Sequence, residues 1–191
     1  MVQLELFDAL PARGRDIVFF GALLPPESGE RLLAPLHDRL KRLGVAPRLH
    51  RSDRLHVSLL RIGFHDRLGY DHVEALRAAA SGTDIPPLEI AFTTLMSFGR
   101  PGQRGNRPLV LVPGDDGDRV VGLAAEIERA VRGRRVPIEG SAGGVPHMTL
   151  CYAPLRLPPM TLEPPIVLPL SRVALIRSHR GETRYSLLWH T

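Results

Sequence analysis

The sequence predicts an α+β fold built from short antiparallel strands and three helices. Its 191 residues suit one domain or two tightly fused lobes. Apolar residues at helical spacing alternate along the chain with short apolar runs that proline or glycine ends. A weak internal repeat is also present, since each half carries a His-x-Ser/Thr-Leu strand, then a strand led by Pro-Pro, then another strand. We therefore expect a bilobal chain of two similar lobes, each with an antiparallel sheet and outer helices.

The first half of this repeat is expected to run to about residue 112. Its opening apolar run, residues 16–24, stops at two prolines and predicts a buried strand. A helix over residues 27–43 follows, because leucines recur at helical spacing and Gly44 suits a helix C-cap; Pro35 either kinks this helix or marks a later start. The remaining elements are a strand at 55–62, a helix at 71–80, and strands at 88–98 and 109–112.

The second half resumes near residue 118 with a helix over residues 118–131, which carries an apolar stripe. A flexible glycine-containing lead, residues 141–146, then enters a strand at 147–152. Two further strands, at 166–176 and 184–189, close the chain. The two pseudo-repeat halves, about 1–112 and 118–191, would together form one bilobal domain.

Composition narrows the functional classes. No apolar run approaches the ~20 residues that a membrane-spanning helix needs, and the first residues lack the pattern of a secretory signal. Cys151 is the only cysteine, so no intrachain disulfide can form, and a reducing, cytoplasmic location is expected. The formal net charge is +5 and Lys41 is the only lysine. The arginines suit an anionic, phosphate-bearing partner, although composition bias explains them equally well.

Two short patterns carry the chemistry. The first is His56-Val57-Ser58-Leu59 and the second is His147-Met148-Thr149-Leu150, 91 residues apart. In an extended strand, residues i and i+2 point to the same face. Each strand therefore presents an imidazole beside a hydroxyl, with apolar side chains behind them. Placed across a cleft, the two strands would form a symmetric pocket of two imidazoles and two hydroxyls.

That set of groups suits displacement at phosphorus. One neutral imidazole can accept a proton from the nucleophile while the other, protonated, donates to the departing oxygen. The hydroxyls can hold the phosphate oxygens in line. A single such tripeptide is common in proteins, and imidazole also binds zinc. The sequence has no His-Glu-x-x-His, however, no second cysteine and no acidic residue beside either histidine, so we expect no metal.

The paired motifs resemble those of the 2H phosphoesterase superfamily, in particular its RNA 2′,3′-cyclic phosphodiesterases, also called 2′-5′ RNA ligases. The resemblance covers the opening strand 19–26, both motifs (55–63 and 146–150) and the closing segment 173–187. It implies a bilobal α+β fold with the histidines in a central cleft, and hydrolysis of a 2′,3′-cyclic phosphate to a 2′-phosphate without a cofactor. Carried over, His56 is the acid on the leaving 3′ oxygen and His147 the base that activates water. Ser58 and Thr149 would bind the phosphate.

One position departs from this pattern. The family often has an arginine five residues after the second histidine, where this chain has Tyr152. The equivalent position after the first histidine is Arg61, which is a candidate phosphate ligand. Strict alternation places Arg61 on the face opposite His56, unless a β-bulge intervenes. Substrate choice and ligase activity depend on this point.

Other side chains are candidates for substrate binding. Phe20, Tyr152 and Tyr185 can stack on an unpaired base, although the neighbours of Phe20 also suit a plain core position. Arg104, in the basic glycine-rich loop 99–107, either contacts RNA phosphates or is simply solvated. The expected partner is an RNA or oligonucleotide with a 2′,3′-cyclic phosphate end, bound by a monomer. Alternatives are action on 2′-5′ linkages or ADP-ribose cyclic phosphate, RNA ligation, and an RNA-end-binding module without turnover.

Overall fold

The computed structural model describes residues 16–42, 44, 47–65, 69–83, 85–100, 104–179, 181–182 and 184–191. This part of the chain contains three α-helices, one short 3₁₀ turn and eight strands. The helices are α1 (Pro26–Arg42), α2 (Tyr70–Ser81) and α3 (Gly117–Gly133), and the turn is Ser52–Arg54. The strands are β1 (Asp16–Leu23), β2 (His56–His65), β3 (Leu88–Ser97), β4 (Arg107–Pro113), β5 (Met148–Ala153), β6 (Met160–Leu170), β7 (Arg172–Ser178) and β8 (Tyr185–His190).

All eight strands form one antiparallel sheet in the order β6-β3-β4-β5-β2-β1-β7-β8. Together with the three helices, this sheet confirms the predicted α+β class. Its two central strands, β2 and β5, meet through the single residue pair Val57 and Met148. Each four-stranded side of that junction takes strands from both halves of the sequence. The division into two lobes, and the pseudo-repeat halves, stay predictions.

Alternation along β1 separates two layers of apolar packing. Val18, Phe20 and Ala22 enter the main core, which also contains the buried leucines of α1 and buried residues of α2 and α3. Phe19 and Leu23, on the other face of β1, pack in a small separate cluster with residues of β7. The helices thus cover one face of the sheet here, and the small cluster marks the opposite face.

The segment predicted as one strand, residues 166–176, is two strands, so that prediction is wrong. β6 pairs with β3 at one edge of the sheet, whereas β7 pairs with β1 near the other edge. Only Ser171 lies between them, and its N–H donates to the carbonyl oxygen of Leu23. A continuous apolar run does not reveal such a change of partner. The edge position of β6 accommodates its prolines, which cannot donate to a neighbouring strand.

Two other expectations concern α1 and the membrane. The helix begins at Pro26 and continues through Pro35, so Pro35 does not mark a later start. Among the described residues, no helix is both long and apolar enough to cross a bilayer. The expectation about a secretory signal falls on the first residues, which lie outside the described part of the chain.

Candidate active site

The two histidine motifs meet at the centre of the sheet. His56 begins β2, and His147 directly precedes β5. Val57 and Met148 form the antiparallel pair that joins these strands, and both side chains are buried in the main core. Extending this register by one residue in each direction puts Ser58 opposite His147 and Thr149 opposite His56. Side chains directly opposite each other in such a pair share one face and lie ~5 Å apart at Cβ.

The register therefore creates a compact group of four polar side chains on the face away from the main core. In this extended register each imidazole stands opposite the hydroxyl of the other motif, around an approximate two-fold axis at the Val57–Met148 pair. Ser58 and His147 also line the same small cavity of ≈ 20 Å³, which α3 and the segment 141–146 help to enclose. A cavity of about this size holds a water molecule.

The two imidazoles are held in the same way. His56 Nδ1 lies 2.8 Å from the carbonyl oxygen of Arg54, and His147 Nδ1 lies 2.8 Å from that of Val145. A carbonyl oxygen can only accept a hydrogen bond, so each Nδ1 carries a proton and donates it. Nε2 of each ring is then the nitrogen available for proton transfer. Both motifs fix the tautomer through the residue two positions before the histidine.

Burial lowers the pKa of His56 from 6.5 to about 4. The hydrogen bond to Arg54 opposes this shift, while the nearby His147, His50 and Arg54 add to it because positive charges repel each other. In the protein alone, His56 is therefore neutral at pH ~7.

An aromatic ring stands beside each histidine. The ring of Phe19 lies 5.0 Å from that of His56, and the ring of Phe98 lies 4.8 Å from that of His147, measured between centroids. Tyr185, a predicted substrate-binding residue, approaches His56 edge-on at 5.5 Å. Phe20 does not reach the site. Its side chain is fully buried in the main core, so Phe20 is a core residue, the alternative that its apolar neighbours also suited.

Comparison with known proteins shows which family the chain belongs to. The family model of the 2′-5′ RNA ligase superfamily matches residues 25–182, most of the chain. The chain belongs to this superfamily of 2H phosphoesterases. E. coli LigT in apo form is a structural neighbour with a TM-score of 0.65 and 22% sequence identity, covering 93% of this chain and 97% of its own. A Thermus thermophilus protein also matches, with a TM-score of 0.65, 19% identity and coverage of 91% and 96%. No curated protein sequence matches the chain.

Within this candidate site, a β-bulge decides which face of the sheet Arg61 lies on. Ser58 pairs with Gly21 and Leu60 pairs with Phe20, so Leu59 is an extra residue in β2. The bulge reverses the alternation, and Arg61, paired with Phe19, shares the face of His56 and Ser58. The β-bulge that Arg61 needs in order to share the face of His56 is therefore present.

The second motif contains the same bulge at the equivalent place. Thr149 pairs with Val110 and Cys151 with Leu109, which leaves Leu150 as the extra residue of β5. Tyr152 consequently shares the face of Thr149, and its side chain is 47% exposed. The residue five positions after each histidine thus faces the site, and only the first motif supplies an arginine there.

A loop segment packs tightly against the bulged part of β2. Gly140 N–H donates to the carbonyl oxygen of Arg61 at 3.1 Å, and Glu139 N–H donates to that of Ile62 at 2.8 Å. A Cβ on Gly140 would lie 2.5 Å from the Arg61 oxygen and 2.9 Å from the Arg61 Cβ. Glycine is required here for space, and the contact supports the backbone that aims Arg61.

Two residues of the site were missed from the sequence. The Arg54 guanidinium carbon lies 4.5 Å from the centre of the Tyr185 ring, and Arg54 is close enough to affect both His56 and His50. His50 donates its backbone N–H to the Leu150 oxygen, and its ring lies 5.9 Å from that of Tyr152. Burial, followed by the Arg54 charge, lowers the pKa of His50 to about 4. The available signal was only the position of Arg54 two residues before His56 in the sequence.

The structure also bears on Arg104, on Cys151 and on metal binding. Arg104 is exposed, and no contact in the described part of the chain joins it to the motifs. Cys151 is buried, and burial raises its thiol pKa to about 11. The described residues contain no group of three or more His, Cys, Asp or Glu side chains that could hold a metal ion.

Proposed function

We propose that this 2H phosphoesterase hydrolyses the 2′,3′-cyclic phosphate at an RNA end to a 2′-phosphate by two-histidine acid–base catalysis. The observation that carries the proposal is the register around Val57 and Met148, which sets each imidazole opposite the hydroxyl of the other motif. Two proton-transfer groups and two oxygen-binding groups then surround a single point, as in-line displacement at phosphorus requires.

The reaction needs two proton transfers. His147 Nε2 takes a proton from water as the water oxygen bonds to phosphorus. The bond from phosphorus to the 3′ oxygen breaks, and His56 Nε2 gives that oxygen its proton. The products are a 2′-phosphate monoester and a 3′-hydroxyl. Ser58 and Thr149 donate to the non-bridging oxygens, and Arg61 balances their charge.

His56 must be protonated to act as the acid, yet burial keeps it neutral in the protein alone. A bound phosphate anion raises the pKa of a neighbouring imidazole, because opposite charges favour the protonated form. Substrate binding would therefore supply the protonation state that the chemistry needs. The measurable consequence is a rise of the His56 pKa from about 4 toward neutrality when phosphate is added.

Relatives and side-chain placement support a nucleotide substrate. E. coli LigT has been crystallised with phosphate and with 3′-AMP. In this chain, Tyr152 and Tyr185 lie beside the motifs and are the rings we propose for contact with a base. The proposed mechanism uses no cofactor. We expect the protein to be a cytoplasmic monomer.

Product analysis tests the proposal. Wild type incubated with a mononucleoside 2′,3′-cyclic phosphate and EDTA should give the 2′-phosphate. His56→Ala and His147→Ala should each lower kcat by ~10²–10⁴-fold, the usual size of an acid–base contribution. His72→Ala, an exposed histidine on α2, is the matched control and should keep wild-type activity.

The other outcomes are equally informative. A 3′-phosphate product would reverse the choice of leaving oxygen, and a strict requirement for added zinc or manganese would refute the mechanism. RNA binding without turnover of any cyclic phosphate would favour the non-catalytic module. Joining of 2′,3′-cyclic phosphate and 5′-hydroxyl ends, without hydrolysis, would favour the ligase.

A further inference from the structure

Arg54 occupies an unusual position beside the first motif. It ends the 3₁₀ turn that precedes β2, and its guanidinium stacks over Tyr185. Its Nε is buried and has no hydrogen-bond partner. No carboxylate in the described part of the chain forms an ion pair with Arg54, whereas its neighbour Arg51 pairs with Asp53.

A buried guanidinium N–H without an acceptor is unfavourable, and an anionic oxygen is the acceptor that guanidinium binds best. Stacking on an aromatic face leaves the planar edge of the guanidinium free to donate. The same residue fixes His56, since the Arg54 carbonyl oxygen accepts the bond from His56 Nδ1. An anion held by the Arg54 side chain would therefore lie at the His56 end of the site.

Along the first motif the site has two ends, one at His56 and the other at Ser58, and a different arginine lies at each. Arg61 lies beyond Ser58 along β2, while Arg54 lies before His56 on the same segment. His50 and Tyr152 flank the Arg54 end, because the His50 backbone pairs with Leu150 of β5. Arg61 and Arg54 thus approach the four central side chains from opposite directions.

We infer that Arg54, held in place by Tyr185, binds a non-bridging oxygen of the reacting phosphate at the His56 end of the site. The inference rests on the proposed function, because it assigns a substrate contact in the same site. Lysine would not replace Arg54 fully, since an ammonium neither stacks in a plane nor donates two parallel bonds. Tyr185→Phe should preserve the stack, and Tyr185→Leu should weaken phosphate binding.

Calorimetric titration with inorganic phosphate tests the inference without turnover. Arg54→Met, which keeps the length of the side chain, should bind phosphate about 10- to 100-fold more weakly than wild type, the size of one charge-assisted contact. Arg51→Met removes the same charge from the residue just before the 3₁₀ turn. Because Arg51 is exposed, the phosphate affinity of this variant should stay within about twofold of wild type. Wild-type affinity in Arg54→Met, or no phosphate binding by wild type, would overturn the inference. Should Arg54→Met not fold, Arg54→Gln decides on the same criterion.

Kinetics identify which phosphate Arg54 contacts. A mononucleoside 2′,3′-cyclic phosphate has only the reacting phosphate, so Arg54→Met should lower its kcat/KM. A loss seen only with longer oligonucleotides would mean contact with a neighbouring phosphodiester and would overturn the assignment. If wild type binds phosphate through Arg54 but leaves every cyclic nucleotide intact, the proposed function fails while the Arg54 binding site stands.

Discussion

The lowered pKa values of His50 and His56 predict that this protein loses stability in mild acid. Burial lowers the pKa of both His50 and His56 to about 4 in the folded chain, whereas the ordinary value of 6.5 applies after unfolding. Between these values the unfolded state binds more protons than the folded state. The stabilisation is therefore fully present above pH ~6.5 and is lost as the pH falls toward ~4.

The size of this effect follows from proton linkage. At pH ~5, an unfolded histidine is almost fully protonated and either buried histidine is mostly neutral. The resulting loss relative to pH ~7.5 is about 2 kcal/mol for each histidine, and the loss for both is less than twice that, because the charge of His50 itself contributes to the low pKa of His56. Domains of this kind have a free energy of unfolding of ~5–15 kcal/mol, so the loss is a large fraction of the total.

Urea unfolding of wild type at pH ~7.5 and ~5 measures the effect. His50→Gln and His56→Gln should each reduce the pH-dependent difference by about 2 kcal/mol, and the double variant should remove most of it. His72→Gln, at an exposed helical position, should keep the wild-type difference. An unchanged difference in the double variant would refute the argument from burial.

Three further outcomes test the contacts around the site. Gly140→Ala should lower the free energy of unfolding by ~1–3 kcal/mol, because the new Cβ meets the Arg61 backbone. Gly122→Ala, in open space on α3, should instead raise the free energy of unfolding by up to ~1 kcal/mol. Urea unfolding that finds Gly140→Ala more stable than Gly122→Ala would contradict both predictions. Arg61→Met should lower kcat/KM for a cyclic phosphate about 10- to 100-fold, whereas unchanged kinetics would exclude a substrate contact. Iodoacetamide should alkylate Cys151 only in denaturant, so mass spectrometry that finds rapid modification of the native chain would contradict its burial.

Local patterns were sufficient to predict the centre of the site. Strand alternation spans only three residues, so His56 with Ser58, and His147 with Thr149, can be placed on common faces from the sequence. The three helices were found within a few residues of their bounds, since apolar spacing and flanking residues are also local signals. The meeting of the two motifs was expected from chemistry and resemblance. The residue pairing between the two motif strands is seen only in the structure.

The features that the sequence did not predict depend on which strands pair with each other and in what register. Whether Phe19 or Phe20 faces the site depends on how β1 aligns with β2, and the position of Arg61 depends on a bulge between the same strands. A bulge arises from the hydrogen-bond match of two segments that are distant in sequence, so one strand alone does not reveal it. The break at Ser171 has the same origin, because neighbouring residues there pair with strands near opposite edges of the sheet.

The backbone of the site is close to two-fold symmetric, and this symmetry restricts where catalytic asymmetry can arise. Both motifs carry a histidine fixed through Nδ1, a hydroxyl and a bulge at the same offset. If the surroundings of the two histidines were identical, neither histidine would be favoured as the acid or as the base. In the proposed mechanism, the acid and base roles must therefore be separated by side chains that break the symmetry. Arg61 and Tyr152 occupy equivalent positions but differ in charge, and Arg54 adds a cation at the His56 end alone. Replacing each of them in turn, with the pH dependence of kcat/KM as the measurement, is the direct way to assign the two histidines.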